Sequence, residues 1–198
     1  MTAGNAGRFL YLCRMKRFSV MTLLLCLAFA ADAQPRSLGV RIGAGGVEAS
    51  YQHDFTEEQF LSLDLGLDLG YSVRGSLGGK VTGVYEFIWA RPRWTKKGTW
   101  NIYAGPGISA GYVDDRIVIK AGEERANAFS RGYMIAVAGQ VGLEYNFEIP
   151  LQLSLEVRPL AGLHISKNHI GFYDNGLLGF APSLAIRYTF STHGGRRF

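Results

Sequence analysis

Residues 60–71 read FLSLDLGLDLGY. Leu61, Leu63, Leu65, Leu67, Leu69 and Tyr71 share one parity; Ser62, Asp64, Gly66, Asp68 and Gly70 share the other. Successive side chains of a β-strand point to opposite faces, whereas a helix would scatter these leucines around its circumference. The segment is therefore expected to be a strand with one apolar and one polar face. Alternation alone leaves open whether the leucines meet a protein core or lipid.

The same period runs through most of the chain. Trp100, Ile102, Ala104, Ile108 and Tyr112 alternate with small or polar residues, as do Tyr133 to Phe147, Leu151 to Val157 and Leu184 to Phe190. Residues 80–94 fit less cleanly. Short connections at 54–59, 95–98 and 148–150 alternate with longer ones at 72–79, 113–130 and 164–176. That rhythm predicts an up-and-down antiparallel sheet. Parity changes between Leu38-Val40-Ile42 and Val47-Ala49-Tyr51, across Gly43–Gly46. A two-residue hairpin there gives eight strands with both chain ends on the short-turn side; a glycine bulge in one continuous strand is the alternative.

The N-terminus reads as a targeting segment. Arg14, Lys16 and Arg17 precede the apolar run Val20–Ala31, and Ala31-Asp32-Ala33 fits signal peptidase cleavage before Gln34. The run is shorter than the roughly 20 residues that a spanning helix needs. Met15 begins a more typical leader than Met1, and both cysteines, Cys13 and Cys26, fall within the leader. The expected organisation is a signal peptide (1–33), a barrel (34–190) and a C-terminal extension (191–198). Without the leader, Lys+Arg falls from 21 to 17 and Asp+Glu from 16 to 15, leaving about +2. That charge makes no case for nucleic acid. A chain without cysteine has neither a disulfide frame nor a thiolate metal site.

Composition of the polar parity separates a soluble barrel from a membrane barrel. A water-facing sheet carries many lysines and glutamates; here that parity is Gly, Ala, Ser, Asn and a few acids. All five lysines beyond the leader are read at strand ends or in connections. Small side chains suit the interior of a narrow barrel, which has room for side chains and little else. Aromatic residues fall near strand ends: Phe55, Phe60, Trp94, Trp100, Phe147 and Phe190 toward the short turns, and Tyr71, Tyr112 and Tyr133 toward the loops. Two aromatic girdles with leucine between them describe a hydrocarbon-facing band. The expected fold class is all-β, an eight-stranded antiparallel transmembrane β-barrel after a cleaved signal peptide. Arg41, Glu48, Asp64, Asp68, Glu86, Glu144, Glu156, Arg158 and Arg187 are then expected inside, as an ion-pair network that plugs the lumen.

The segments GVEASYQHDF (46–55), GVYEFIWARPRW (83–94), WNIYAGPGISAGY (100–112), VAGQVGLEYNFEIPLQLSLEVRP (137–159) and LAIRYTF (184–190) resemble small outer-membrane β-barrels of Bacteroidetes-type bacteria. These are grouped with porin-family or OmpA/OmpX-like proteins. The resemblance spans about residues 38–190. It implies the outer membrane of a Gram-negative bacterium, with lipid and lipopolysaccharide as surroundings. It also implies handling by the barrel-assembly machinery, with Phe190 or Phe198 as the terminal aromatic. The implied role is structural or surface-binding, through loops that contact a protein or surface ligand. A small porin is the alternative.

No cofactor, metal site or enzymatic activity is expected. Asp64 and Asp68 would lie about 13 Å apart at roughly 3.3 Å per residue, beyond the roughly 5–9.5 Å of glycosidase pairs. His164-Ile165-Ser166 with Asn168 is similar to the His-x-Ser-Asn element of outer-membrane lipid A deacylases, a lesser alternative. His and Ser at that spacing share a strand face, as a base and nucleophile require, but the parity is that of Glu156 and Arg158, which points inward. Asp114, Asp115, Glu123 and Glu124 lack EF-hand spacing and are read as part of a solvated loop, interleaved with Arg116, Lys120, Arg125 and Arg131.

Overall fold

The computed structural model describes residues 35–69, 78–121, 124–167 and 170–190. The expected leader, Tyr71, Asn168 and the 191–198 extension lie outside the described residues. In chain order the strands are β1 (Pro35–Gly43), β2 (Gly46–Asp54), β3 (Gln59–Asp68), β4 (Gly78–Ala90), β5 (Thr99–Ala121), β6 (Glu124–Asn146), β7 (Leu151–Val157), β8 (Leu160–Ile165), β9 (Ile170–Phe172) and β10 (Ser183–Thr189). A 3₁₀ helix, Asp174–Phe180, separates the last two.

Every pairing is antiparallel, and β1 pairs with both β2 and β10, so the sheet closes on itself. The ten strands make an eight-stranded barrel. β7 and β8 are halves of one stave: Val157 faces Val141 and Leu160 faces Ala138 on β6, in a single register. The interruption falls at Arg158 and Pro159, where proline has no N–H to give the ladder. Its carbonyl still accepts from Gly139 N at 3.2 Å. β9 folds back on β8, and the 3₁₀ helix carries the chain to β10, which lies between β7 and β1.

Gly43 pairs with Gly46, leaving Ala44 and Gly45 as the turn. The parity change is thus a hairpin and not a bulge. Ser37 faces Thr189, which puts both ends of the described barrel at the side of the short turns.

Two connections are shorter than the sequence rhythm suggests. Residues 113–130 are not a loop: β5 and β6 stay paired from Thr99–Asn146 to Ala121–Glu124. Ile117, Val118 and Ile119 favour strand, and Asp114 opposite Arg131 is a favourable cross-strand charge pair. The charge density of this segment suggested a loop, whereas its backbone continues the β5–β6 ladder. Residues 164–176 also contain structure: the end of β8, then β9 and the start of the 3₁₀ helix.

The two parities separate cleanly. Leu63, Leu65, Leu67, Val81, Ile108, Ile135, Val137, Val141, Leu155, Leu184 and Ile186 are exposed on the outer face, Leu65 at 62%. Ser62, Asp64, Thr82, Ser109, Gln140, Ser154 and Glu156 are buried inside. This is the reverse of a soluble globule, where large exposed apolar surfaces are rare.

Two glycines show how tightly the backbone constrains this arrangement. Gly46 sits at φ +132°, and a Cβ there would overlap the Leu67 carbonyl oxygen. Gly142 lies opposite Tyr103, and a Cβ there would occupy the space of the inward-pointing phenol ring. Gly79 has open space around it. Gly46→Ala is expected to cost about 1–3 kcal/mol, and Gly79→Ala to stay within about 0.5 kcal/mol. Equilibrium urea unfolding measures both.

Candidate functional site

The barrel interior is the most concentrated chemistry in the molecule. All nine residues expected in the lumen network are buried there. Glu156 is its hub. Arg41 Nε lies 2.9 Å from one carboxylate oxygen, and Arg187 Nη2 lies 2.7 Å from the other. The Tyr103 hydroxyl donates to Glu156 at 2.7 Å and the Ser154 hydroxyl at 2.8 Å. Arg187 is fixed further by Ser50 at 2.9 Å and by Ser154 at 2.6 Å. β10 places Arg187 between the staves that supply Ser154 and Ser50.

A second cluster lies nearer the loops. Arg158 pairs with both Glu48 and Asp64, and Arg41 pairs with Glu48 at 2.9 Å. Arg158 stands at the β7–β8 interruption, from which its side chain spans the lumen to β2 and β3. Lys80 Nζ lies 3.3 Å from Glu48 and 3.7 Å from Asp68. Asp64 and Asp68 thus have different cationic partners and do not act as a carboxylate pair. A cavity of about 20 Å³, lined in part by Arg41, Glu48, Lys80, Arg158 and Asn175, remains in this cluster. It has room for about one water.

Toward the short turns Glu144 pairs with Arg36 and accepts from Asn101 at 2.6 Å, from Asn146 at 3.1 Å and from Gln152. Glu86 takes hydrogen bonds from Ser62 at 2.8 Å and Gln140 at 2.9 Å, and has no cation paired with it among the described residues. An apolar cluster of Val84, Val113, Met134, Ala136, Ala138, Leu160 and Tyr173 is buried as well.

Lys80 and Arg36 were not anticipated. Lys80, the third residue of β4, lies near a strand end as expected but is 6% exposed and paired inside the barrel. It is in phase with Thr82 and Glu86, which was the available signal. Arg36 has the parity of outward-facing Leu38, but a register shift between Pro35 and Ser37 breaks that phase.

At the loop end the segment around the 3₁₀ helix is tied to the interior. Tyr173 is buried, and its hydroxyl donates to Asp68 at 2.6 Å. Asp115 accepts from the backbone amides of Asp174 at 2.8 Å and Asn175 at 3.1 Å. Burial holds the Asp115 carboxyl above the ordinary aspartate range, although those amides favour its anion. Asp115 is 0% exposed, so it does not belong to a solvated loop.

The girdle residues mostly face out. At the short-turn end Trp94 packs on Trp100 at 5.4 Å, Trp100 on Tyr145 at 4.7 Å and Tyr145 on Phe147 at 4.6 Å. Phe55 meets Tyr85 at 5.7 Å, and Phe190 meets Tyr188 at 5.2 Å. At the loop end Tyr112 meets Tyr133 at 5.0 Å. Phe60 does not belong to the girdle. It shares parity with Ser62, is fully buried, stacks on Tyr103 at 5.2 Å and lies 4.0 Å beneath the Arg36 guanidinium.

His164 is 1% exposed, with Nε2 3.3 Å from the Val113 carbonyl oxygen. Ser166 is partly exposed, just beyond the end of β8. The histidine thus faces the interior, away from the outer surface where a lipid ester would lie. No group of three or more His, Cys, Asp or Glu able to hold a metal occurs among the described residues. No protein-family model matches the chain, and no curated protein matches it.

Arg187→Ala leaves Glu156 buried with one cation fewer and is expected to cost about 3–5 kcal/mol. Lys97→Ala removes an exposed partner 3.8 Å from Glu148 and is expected to cost less than about 1 kcal/mol. Unfolding midpoints of the two variants at constant denaturant slope provide the comparison.

Proposed function

We propose that the chain is an outer-membrane β-barrel of a Gram-negative bacterium, exported by its leader and related to the porin-family or OmpX-like small barrels. Its role is structural or surface-binding, with the loop-side elements as the part that meets lipopolysaccharide, a protein or another surface ligand. The observation that carries this reading is the inverted polarity: an apolar outer band between aromatic girdles, around a charged interior. Such a surface in water is an aggregation hazard, whereas in a bilayer it is the ordinary exterior of a spanning barrel. No helix among the described residues is long and apolar enough to cross a membrane, so in this reading the crossing is made by strands.

The filled interior favours a structural barrel over a porin. The Arg158–Asp64 pair crosses the lumen, the Glu156 hub gathers side chains from β1, β5 and β10, and Tyr173 turns inward to Asp68. A water-filled path would need these side chains to separate, each leaving a partner uncompensated. The esterase alternative has no comparable support, because His164 is turned inward.

Two outcomes follow. Leu65→Arg should destabilise the protein folded in vesicles by about 2–4 kcal/mol, as for a charge near mid-bilayer, measured by reversible urea unfolding. Purified protein in planar bilayers should show no steady conductance. A large, stable single-channel current would overturn the filled-lumen reading and favour a porin.

A further inference from the structure

The turn between β4 and β5 has a composition unlike its neighbours. Residues 91–98 read RPRWTKKG, with Arg91, Arg93, Lys96 and Lys97 and no acid. All four cations are exposed. Arg91 donates to the Glu57 carbonyl oxygen, and Lys97 lies 3.8 Å from Glu148. Acids on the adjacent turns, Glu57, Glu58 and Glu148, lie to either side. No carboxylate pairs with Arg93 or Lys96 among the described residues.

The turn is also held in place. Gly98 adopts φ +66°, Tyr145 donates its hydroxyl to the Lys97 carbonyl at 2.9 Å, and Thr95 Oγ1 does so at 2.7 Å. Trp100 Nε1 donates to Thr95 Oγ1 at 3.2 Å, which ties the turn to the aromatic girdle. Arg93 precedes Trp94 and Lys96 follows it by two residues; Trp94 is 61% exposed and meets Trp100 edge-on. Tryptophan at this boundary sets headgroup depth. Two cations held at that depth, with no acid of their own, present the charge that a phosphodiester lacks.

We propose that this turn binds an anionic phospholipid headgroup in the short-turn leaflet, with Arg93 and Lys96 on the phosphate and Trp94 against the glycerol and upper acyl chain. The inference rests on the membrane-spanning reading. A juxtamembrane cation contributes about 1 kcal/mol toward anionic lipid, which is about fivefold in relative affinity.

The test uses the barrel folded into phosphatidylcholine vesicles containing trace spin-labelled phosphatidylglycerol or phosphatidylcholine. The motionally restricted lipid component gives the relative association constant of the two headgroups. The wild type should favour phosphatidylglycerol by at least about fivefold, and an Arg93→Gln/Lys96→Gln variant should lose most of that preference. Neither side chain holds the turn together, so the variant should fold, which heat-modifiable gel mobility checks. Equal association in the wild type, or a preference that survives in the variant, overturns the headgroup site. Absence of any restricted lipid around folded protein would instead overturn the membrane reading.

Discussion

A charge inside a closed barrel cannot reach bulk water, so every interior arginine and carboxylate must be answered by a neighbour. The Glu156 hub does this most completely: two arginines, a phenol and a serine hydroxyl converge on one carboxylate. The donors come from β1, β5, β7 and β10, so the hub also ties four staves together. Arg41 extends it to Glu48, and Arg158 carries the chain of pairs on to Asp64. Because both faces of every stave are committed, charge inside and hydrocarbon surface outside, a one-residue slip would reverse both. The alternation thus penalises a one-residue slip, and the specific ion pairs add a penalty for slips of two residues, which alternation alone would tolerate.

The short-turn and loop ends solve different problems. At the turn end Glu144 collects Arg36, Asn101 and Gln152, while the aromatic side chains outside form nearly continuous stacks. At the loop end the last stave departs from regular pairing, and the 3₁₀ helix brings Tyr173 inward to Asp68. Asp115, on a strand that extends past the barrel, holds the first amides of that helix. Ion pairs and hydrogen bonds thus tie the staves together at both ends of the interior.

Much of the barrel was legible because period two is a local signal. Leu61 to Leu69 declare their face without reference to any other strand, and the change of phase across Gly43–Gly46 marked the hairpin. The inward set from Arg41 to Arg187 followed from the same parity. Which acid meets which arginine did not, since Arg158–Glu48 and Arg41–Glu156 join residues more than 100 apart and depend on the stagger of the closed sheet. Phe60 was misplaced because its position at a strand end was weighted above its phase. Arg36 escaped because a register irregularity has no signature in the alternation. Tyr173 escaped because its inward turn depends on Asp68 and Asp115, both distant in sequence.

The central claim is that the leucine face of β3 meets hydrocarbon while the aspartate face is enclosed. Residues 34–198 contain no cysteine, so single cysteines introduced from position 61 to 68 each carry one unambiguous spin label. In protein folded into vesicles, collision with molecular oxygen, which concentrates in the bilayer core, should rise and fall with period two. Maxima are expected at Leu63, Leu65 and Leu67 and minima at Ser62, Asp64 and Gly66. Uniform low accessibility to oxygen, or maxima at the aspartate positions, would contradict the account.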